Sequence, residues 1–95
     1  MVLLSDEEID EGLADLPDWE RDGDAILREV EVPTFLDGIA LVQRVAETAE
    51  DRDHHPDIDI RYTTLTFTLS THSEGGLTDK DLDLARRIDS LSSGL

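Results

Sequence analysis

The chain has 95 residues, a formal net charge of -16 and no cysteine, and its length fits one domain over residues 1–95, near the lower limit for a self-sufficient core. The lack of a basic patch argues against nucleic acid or an anionic membrane as a partner, and the lack of cysteine excludes disulfides and thiolate chemistry. The N-terminal residues have neither the basic flank nor the apolar length of a signal peptide, and no stretch could span a bilayer, so we expect a cytoplasmic protein.

Acidic residues dominate the surface chemistry. Asp and Glu number 24 against 8 Lys and Arg, and they are spread along the whole chain. Dispersed carboxylates keep a protein hydrated in concentrated salt, where counterions screen their repulsion, so the composition predicts a halophilic protein. An ordinary acidic protein is the alternative, but ordinary surfaces mix both charge signs more evenly. Because so small a core would gain from self-association, we expect a homodimer or homotetramer.

The first elements are a helix and a hairpin. A Ser5–Glu8 capping box predicts a helix over residues 6–15. The Asp22-Gly23 dipeptide, which tolerates the positive φ angles of a tight turn, predicts a hairpin with strands at residues 19–21 and 25–32. Apolar and polar residues mostly alternate in the second strand, which indicates a sheet buried on one face.

The longest element is a second helix. Thr34 can cap its start, and it must end near Asp53, because the residue before Pro56 is pushed out of the α region. Apolar residues at spacings of three and four predict its buried stripe, which consists of Phe35, Ile39, Val42, Ala46 and Ala49.

A second hairpin follows, with alternating strands at residues 58–62 and 65–69. A turn centred on Thr63-Thr64 places all apolar residues on one face, as a half-buried sheet requires. The predicted pairs are Ile58 with Leu69, Ile60 with Phe67, Tyr62 with Leu65 and, past the strand ends, His55 with His72.

The last element is a helix that Thr78 can cap. Its predicted buried stripe consists of Leu82, Ala85, Ile88 and Leu91. The order is therefore helix, hairpin, helix, hairpin, helix. It predicts an α+β fold of two layers, in which three helices pack on one face of a four-stranded antiparallel sheet.

All three histidines, His54, His55 and His72, fall in or near the second hairpin. Imidazole titrates near physiological pH, so this cluster predicts a site for proton transfer. Glu50, four residues before His54, can stack on it along the helix, and the neighbouring Asp53 adds a second carboxylate. A solvated residue or a helix cap is the alternative for any single histidine, but the clustering disfavours it.

A metal site is the more specific alternative to a proton-transfer site, because three imidazoles and a carboxylate can bind catalytic zinc or iron. Adjacent residues such as His54 and His55 seldom point at one centre, and paired spacing of the H-E-x-x-H kind is missing. We therefore expect neither a metal nor a cofactor. A serine nucleophile is also disfavoured, because Ser70 and Ser73 lie on no strand-to-helix elbow.

Several fixed positions together resemble one family, the pterin-4a-carbinolamine dehydratases. The positions that match its pattern are Glu50-x-x-x-His54-His55-Pro56, Tyr62, His72 and Asp81, with Trp19 after Leu16-Pro17, Arg44-Val45-Ala46, Leu69-Ser70-Thr71-His72 and Gly76-Leu77-Thr78. The resemblance covers about residues 3–91, and so many matched positions are far more specific than a lone dipeptide. It implies a small metal-free enzyme of α+β fold that dehydrates 4a-hydroxytetrahydropterins.

The same resemblance implies the roles of individual residues. His54, His55 and His72 would form the catalytic site, with His54 and His72 transferring protons and His55 holding the pterin. The residues expected to bind substrate around them are Trp19, Glu50, Asp53 and Asp81. Three of these four have a structural alternative: a core anchor for Trp19, a helix cap for Asp81, and a solvated carboxylate for Glu50.

Two questions about function stay open at this point. The substrate could belong to tetrahydropterin recycling after aromatic amino acid hydroxylation or to molybdenum cofactor metabolism. The chain could also be a binding module without activity, since animal relatives serve as a dimerisation cofactor for a homeodomain transcription factor. Retention of all three histidines favours the enzyme.

Overall fold

The computed structural model describes residues 2–94 and contains three α-helices and four strands. Their bounds, in chain order, are α1 (Asp6–Ala14), β1 (Glu20–Asp22), β2 (Ala25–Glu31), α2 (Phe35–Arg52), β3 (Asp57–Arg61), β4 (Thr64–Leu69), a short 3-10 turn (His72–Glu74) and α3 (Asp79–Ser92). The predicted order of helices and hairpins is confirmed. Among these residues, no helix is long and apolar enough to cross a membrane.

The four strands form one antiparallel sheet in the order β1-β2-β4-β3. Its two central strands, β2 and β4, bury their alternate residues on the same face, where Ile26 lies opposite Leu69 and Val30 opposite Leu65. Residues of all three helices join these side chains in a single apolar core. The predicted two-layer α+β fold is therefore confirmed.

The helix starts follow the predicted caps. Both halves of a capping box are present at Ser5 and Glu8, and again at Thr78 and Asp81. The Ser5 backbone N–H donates to Glu8 and holds the pKa of that exposed carboxyl below its usual value. The Thr34 hydroxyl accepts from the N–H of Asp37 at the start of α2. Each cap satisfies N–H groups that the helix itself leaves without a partner.

The predicted register of the second hairpin is wrong by two residues. In the structure Ile58 lies opposite Phe67 and Ile60 opposite Leu65, because the turn is centred on Tyr62 and Thr63. Sharing one apolar face fixes a register only to the nearest multiple of two. The turn also needs a positive φ, which Tyr62 adopts at 53°, and a β-branched threonine is less suited to that position.

The predicted buried face of α2 is only partly right. Of the five residues in the predicted stripe, Ala49 is buried and Val42 packs at the edge of the core, while Phe35 and Ile39 remain 47% and 38% exposed. A second stripe rotated by one residue packs on the sheet instead, and it consists of Gly38, Leu41, Val45 and Ala49. In α3, by contrast, Leu82, Ala85 and Ile88 are buried as predicted, and Leu91 packs at the edge of the core.

Candidate active site

The end of α2 sends two adjacent histidines in different directions. Asp53 caps the helix in the left-handed conformation, with φ 48° and ψ 43°, and the N–H of His54 bonds back to Ala49 O at 3.0 Å. The His54 side chain is thereby buried to 9% exposure, whereas that of His55 stays 54% exposed. The left-handed turn therefore decides which imidazole enters the protein.

His54 binds a carboxylate from the start of α3. Its Nε2 lies 2.6 Å from Oδ1 of Asp81, which is completely buried. The other oxygen, Oδ2, accepts from the Thr78 backbone N–H at 2.9 Å and from the Thr71 hydroxyl at 2.8 Å. Asp81 is thus both the helix cap that was the structural alternative and the partner of a candidate catalytic histidine.

These contacts determine which group donates in each hydrogen bond. A carboxylate only accepts, so His54 donates through Nε2–H. Because Thr71 donates its only hydroxyl proton to Asp81, the Thr78 hydroxyl donates to Thr71 across 2.8 Å. Among the residues described, none hydrogen-bonds Nδ1 of His54.

Glu50 pairs with a different histidine from the predicted one. Its Oε2 lies 2.9 Å from Nε2 of His55, and both side chains are largely exposed. The predicted stack of Glu50 on His54 is wrong, because the helix ends at Arg52 and the turn at Asp53 takes His54 away from the helix surface.

His72 lies near His54 and His55, but not through the predicted pairing with His55. It begins the 3-10 turn after β4, and the corrected register does not set it opposite His55. A cavity of about 310 Å³ nevertheless brings the three histidines together, and its lining residues are Asp53, His54, His55, Ser70, Thr71, His72, Ser73 and Lys80. Such a volume lies at the lower end for small-molecule sites.

Trp19 is not brought to this cavity. Its ring is 4% exposed within the core, and its Nε1–H donates to Asp89 Oδ1 at 2.8 Å. Arg28 reaches the same carboxylate from β2, so the three side chains tie the sheet to α3. The structure therefore shows the core anchor that was the alternative for Trp19.

Sequence reasoning missed several residues that belong to the site. Thr71 and Thr78 were matched only as parts of a motif and a cap, yet both hydroxyls support Asp81. Lys80, the only lysine, follows the capping threonine and lines the cavity. Among residues 2–94 no three His, Cys, Asp or Glu side chains are grouped so that they could hold a metal ion.

Comparison with known proteins adds independent information on the chain as a whole. The family model described as "Pterin 4 alpha carbinolamine dehydratase" matches residues 2–91. The chain belongs to this family.

Relatives within and near the family agree with that placement. A Nocardia farcinica (strain IFM 10152) protein, whose name assigns it provisionally as a pterin-4-alpha-carbinolamine dehydratase, is 64% identical over 90 residues, which are 95% of each chain. A solved transcriptional coactivator/pterin dehydratase from Brucella melitensis is 31% identical, with a TM-score of 0.93 over 97% of this chain and all of that one.

A more distant structure shares the fold alone. It is a pterin dehydratase-like protein described as a RuBisCO assembly factor in the alpha-carboxysome. It is 18% identical, with a TM-score of 0.67 over 81% of this chain and 89% of that one.

Proposed function

We propose that this protein dehydrates a 4a-hydroxytetrahydropterin to the quinonoid dihydropterin and water by histidine acid/base catalysis, in tetrahydropterin recycling. One observation carries the proposal: three histidines line one cavity, and one of them is held by a fully buried carboxylate, in a chain of the dehydratase family. The pterin is the only partner that this chemistry requires.

The reaction needs two proton transfers and no electron transfer. One group delivers a proton to the oxygen on C4a, and the C–O bond breaks with loss of water. A second group removes a proton from a ring nitrogen, whose electron pair forms the C=N bond of the product. Two imidazoles in opposite protonation states supply both steps, and the solvent restores their protons between turnovers.

We assign the proton transfers to His54 and His72 and assign His55 to holding the pterin. His54 donates to Asp81 through Nε2, which leaves Nδ1 for exchange with substrate. His72 is exposed at the cavity, and Asp53, which also lines it, is assigned as a polar contact for the ring. His55 is anchored by Glu50 and is therefore suited to a positioning role.

The proposal predicts that His72→Ala slows dehydration by about a hundredfold or more, the usual scale for one general acid or base. The fold should be unchanged, because His72 lies outside the apolar core. Rates would be measured on chemically generated carbinolamine after subtraction of its spontaneous breakdown. Glu74→Ala, in the same 3-10 turn but outside the cavity lining, is the matched control. Wild-type turnover in a correctly folded His72→Ala protein would contradict the mechanism.

We also propose that the protein is a homodimer or homotetramer. Phe35, Leu36 and Ile39 leave an apolar face of α2 exposed, and Ile60 and Tyr62 are exposed at the end of the second hairpin. Contiguous apolar surface of this kind marks protein contacts. The same surface is the observation that favours the second candidate, a role in binding another protein without catalysis.

Sedimentation velocity tests the assembly. The wild type should sediment at two or four times the chain mass of 10.6 kDa. Ile39→Glu should shift it to the monomer, because a charge would have to be buried in the interface. Ala40→Glu, exposed on another side of α2, should leave the mass unchanged. A monomeric wild type at micromolar concentration would refute self-association.

Two broader proposals concern the cellular setting. The composition is that of a protein acting in a salt-rich cytoplasm, because carboxylates outnumber basic groups threefold and no cysteine is present. An activity in molybdenum cofactor metabolism is the alternative to tetrahydropterin recycling. Dehydration rates on carbinolamines of the two pathways, tetrahydropterin recycling and molybdenum cofactor metabolism, distinguish these two roles.

A further inference from the structure

A second and larger groove lies beside the cavity of the three histidines. Its volume is about 680 Å³, and its lining residues are Arg52, His54, Lys80, Asp83, Arg86, Arg87 and Ser90. This size is well within the range of small-molecule sites. Of its lining residues, only His54 takes part in the proposed proton transfers.

The charge of the groove is opposite to that of the molecule. Four of the chain's eight basic side chains line it, together with a single carboxylate, although acidic residues number 24 in all. Arg86 contacts that carboxylate, Asp83, at 2.9 Å. Arg52, Lys80 and Arg87 form no ion pair with any residue of the described range 2–94.

Three of the four basic residues elsewhere are paired, whereas Arg44 on α2 also forms no ion pair within residues 2–94. Arg21, Arg28 and Arg61 each bind a carboxylate, and so contribute to the fold or to neutralising the surface. In so acidic a chain a basic side chain finds a carboxylate easily. Three cations in a single groove that lack a carboxylate partner therefore do little to stabilise the fold. Their grouping favours a negatively charged ligand.

The groove adjoins the candidate active site, because the two spaces share two lining residues. His54 and Lys80 line both spaces, so a ligand whose ring occupies the cavity can extend a substituent past these two side chains. The wall beyond them comes from the end of α2, with Arg52, and from α3, with Arg86 and Arg87. A negatively charged substituent would meet these guanidinium groups.

We propose that the groove binds a phosphate group on the side chain of the pterin, so that the substrate class is a tetrahydropterin carbinolamine with a phosphorylated side chain. This inference rests on the proposed function. Arginine presents a planar fork of N–H donors that matches phosphate oxygens in pairs. A phosphate ester carries close to two negative charges near neutral pH, which suits a site with several cations better than a single carboxylate does.

Binding of unreactive, fully oxidised pterins tests the groove without turnover. The probes are 6-hydroxymethylpterin and its phosphate ester, and their intrinsic fluorescence reports binding at low ionic strength. The phosphate ester should bind about tenfold more tightly or better, as expected for one or two charge-assisted hydrogen bonds. The ratio of the two dissociation constants is compared within each variant, so a general loss of affinity cancels.

The variants identify the residues responsible. The double variant Arg52→Gln, Arg87→Gln should reduce the preference for the phosphate ester to about twofold or less, because it removes two of the cations. Arg44→Gln removes one charge from an exposed position of α2 outside the groove and should keep the full preference. Added KCl should weaken the preference in the wild type, since exposed charges are screened.

Competition with inorganic phosphate tests whether the groove binds the phosphate group of the pterin ester. Inorganic phosphate should displace the phosphate ester but leave the affinity for 6-hydroxymethylpterin unchanged. Equal affinities for the two pterins in the wild type would overturn the proposal. So would inorganic phosphate that binds without competing with the ester, because the groove would then be a separate anion site.

Turnover distinguishes this proposal from the function on which it rests. Dehydration of both carbinolamines at equal kcat/KM, with equal binding, would refute the groove and keep the dehydratase. A protein that dehydrates neither but still prefers the phosphate ester would refute the dehydratase and keep the groove. A higher kcat/KM for the phosphorylated substrate, lost in the double variant and kept in Arg44→Gln, supports both.

Discussion

At the scale of single residues, the site depends on one backbone conformation. Asp53 adopts a left-handed φ of 48°, which ends α2 and turns the chain at the point where His54 becomes buried and His55 stays exposed. His54 enters a network that includes a buried carboxylate, two threonine hydroxyls and a helix cap. A fully buried carboxylate is costly unless every oxygen is hydrogen-bonded, and here both oxygens of Asp81 are.

We propose that Asp81 positions His54, and Asp81→Asn tests that role. The amide keeps the size of the side chain but has only one oxygen, which the Thr78 N–H retains, so the NH2 group faces His54 and cannot accept from Nε2–H. We expect dehydration to fall about a hundredfold, with an intact fold that is less stable by roughly 1 kcal/mol through the weakened cap.

NMR of the His54 ring distinguishes a positioning role of Asp81 from a purely structural one. The ¹⁵N shifts of the His54 ring should move away from the Nε2–H form in Asp81→Asn, because the carboxylate no longer selects it. Asp79→Asn, an exposed first-turn residue of the same helix, should keep both the ring shifts and the rate. Unchanged ring shifts in Asp81→Asn would show that the carboxylate does not set the tautomer.

At the scale of elements, features that depend on nearby residues were predictable from the sequence, whereas features that depend on contacts between distant residues were not. Capping boxes and alternation depend on neighbours within four residues, so the helix starts and the strands were predictable from the sequence. The face of α2 was not, because the helix carries two apolar stripes and only the packed structure selects one. The contact of His54 with Asp81, 27 residues apart, likewise follows from the left-handed turn and the docking of α3.

The second hairpin offers a test of the corrected register. Tyr62 has a φ of 53°, a conformation that costs a non-glycine residue about 1–2 kcal/mol and that asparagine tolerates better. Tyr62→Asn should therefore raise the free energy of unfolding by roughly 0.5–1 kcal/mol. Chemical denaturation in an Ile39→Glu background measures this without a contribution from association.

Thr63→Asn is the matched control, since Thr63 belongs to the same turn but does not have a positive φ. It should not stabilise the protein. If Thr63→Asn stabilises and Tyr62→Asn does not, the turn is centred one residue later, as the sequence alone had suggested.

At the scale of the whole molecule, one small core holds together a strongly charged surface. The core draws on all three helices and one face of the sheet. Its stabilisation is opposed by repulsion among 24 carboxylates, which 8 basic groups cannot offset. Because the groove of Arg52 and Arg87 gathers cations away from the remaining surface, the carboxylates elsewhere are even less compensated.

The stability of the molecule should therefore depend on salt. We expect the thermal midpoint to rise as KCl increases into the molar range, because counterions screen the repulsion that unfolding relieves. Replacing three exposed carboxylates that line neither the cavity nor the groove, by Asp10→Asn, Glu11→Gln and Glu47→Gln, should give a shallower rise, since less repulsion remains to be screened. Melting curves by circular dichroism across a KCl series provide the comparison. A midpoint that falls or stays flat in the wild type would remove the halophilic interpretation, and equal slopes in both proteins would show that salt acts through something other than these charges.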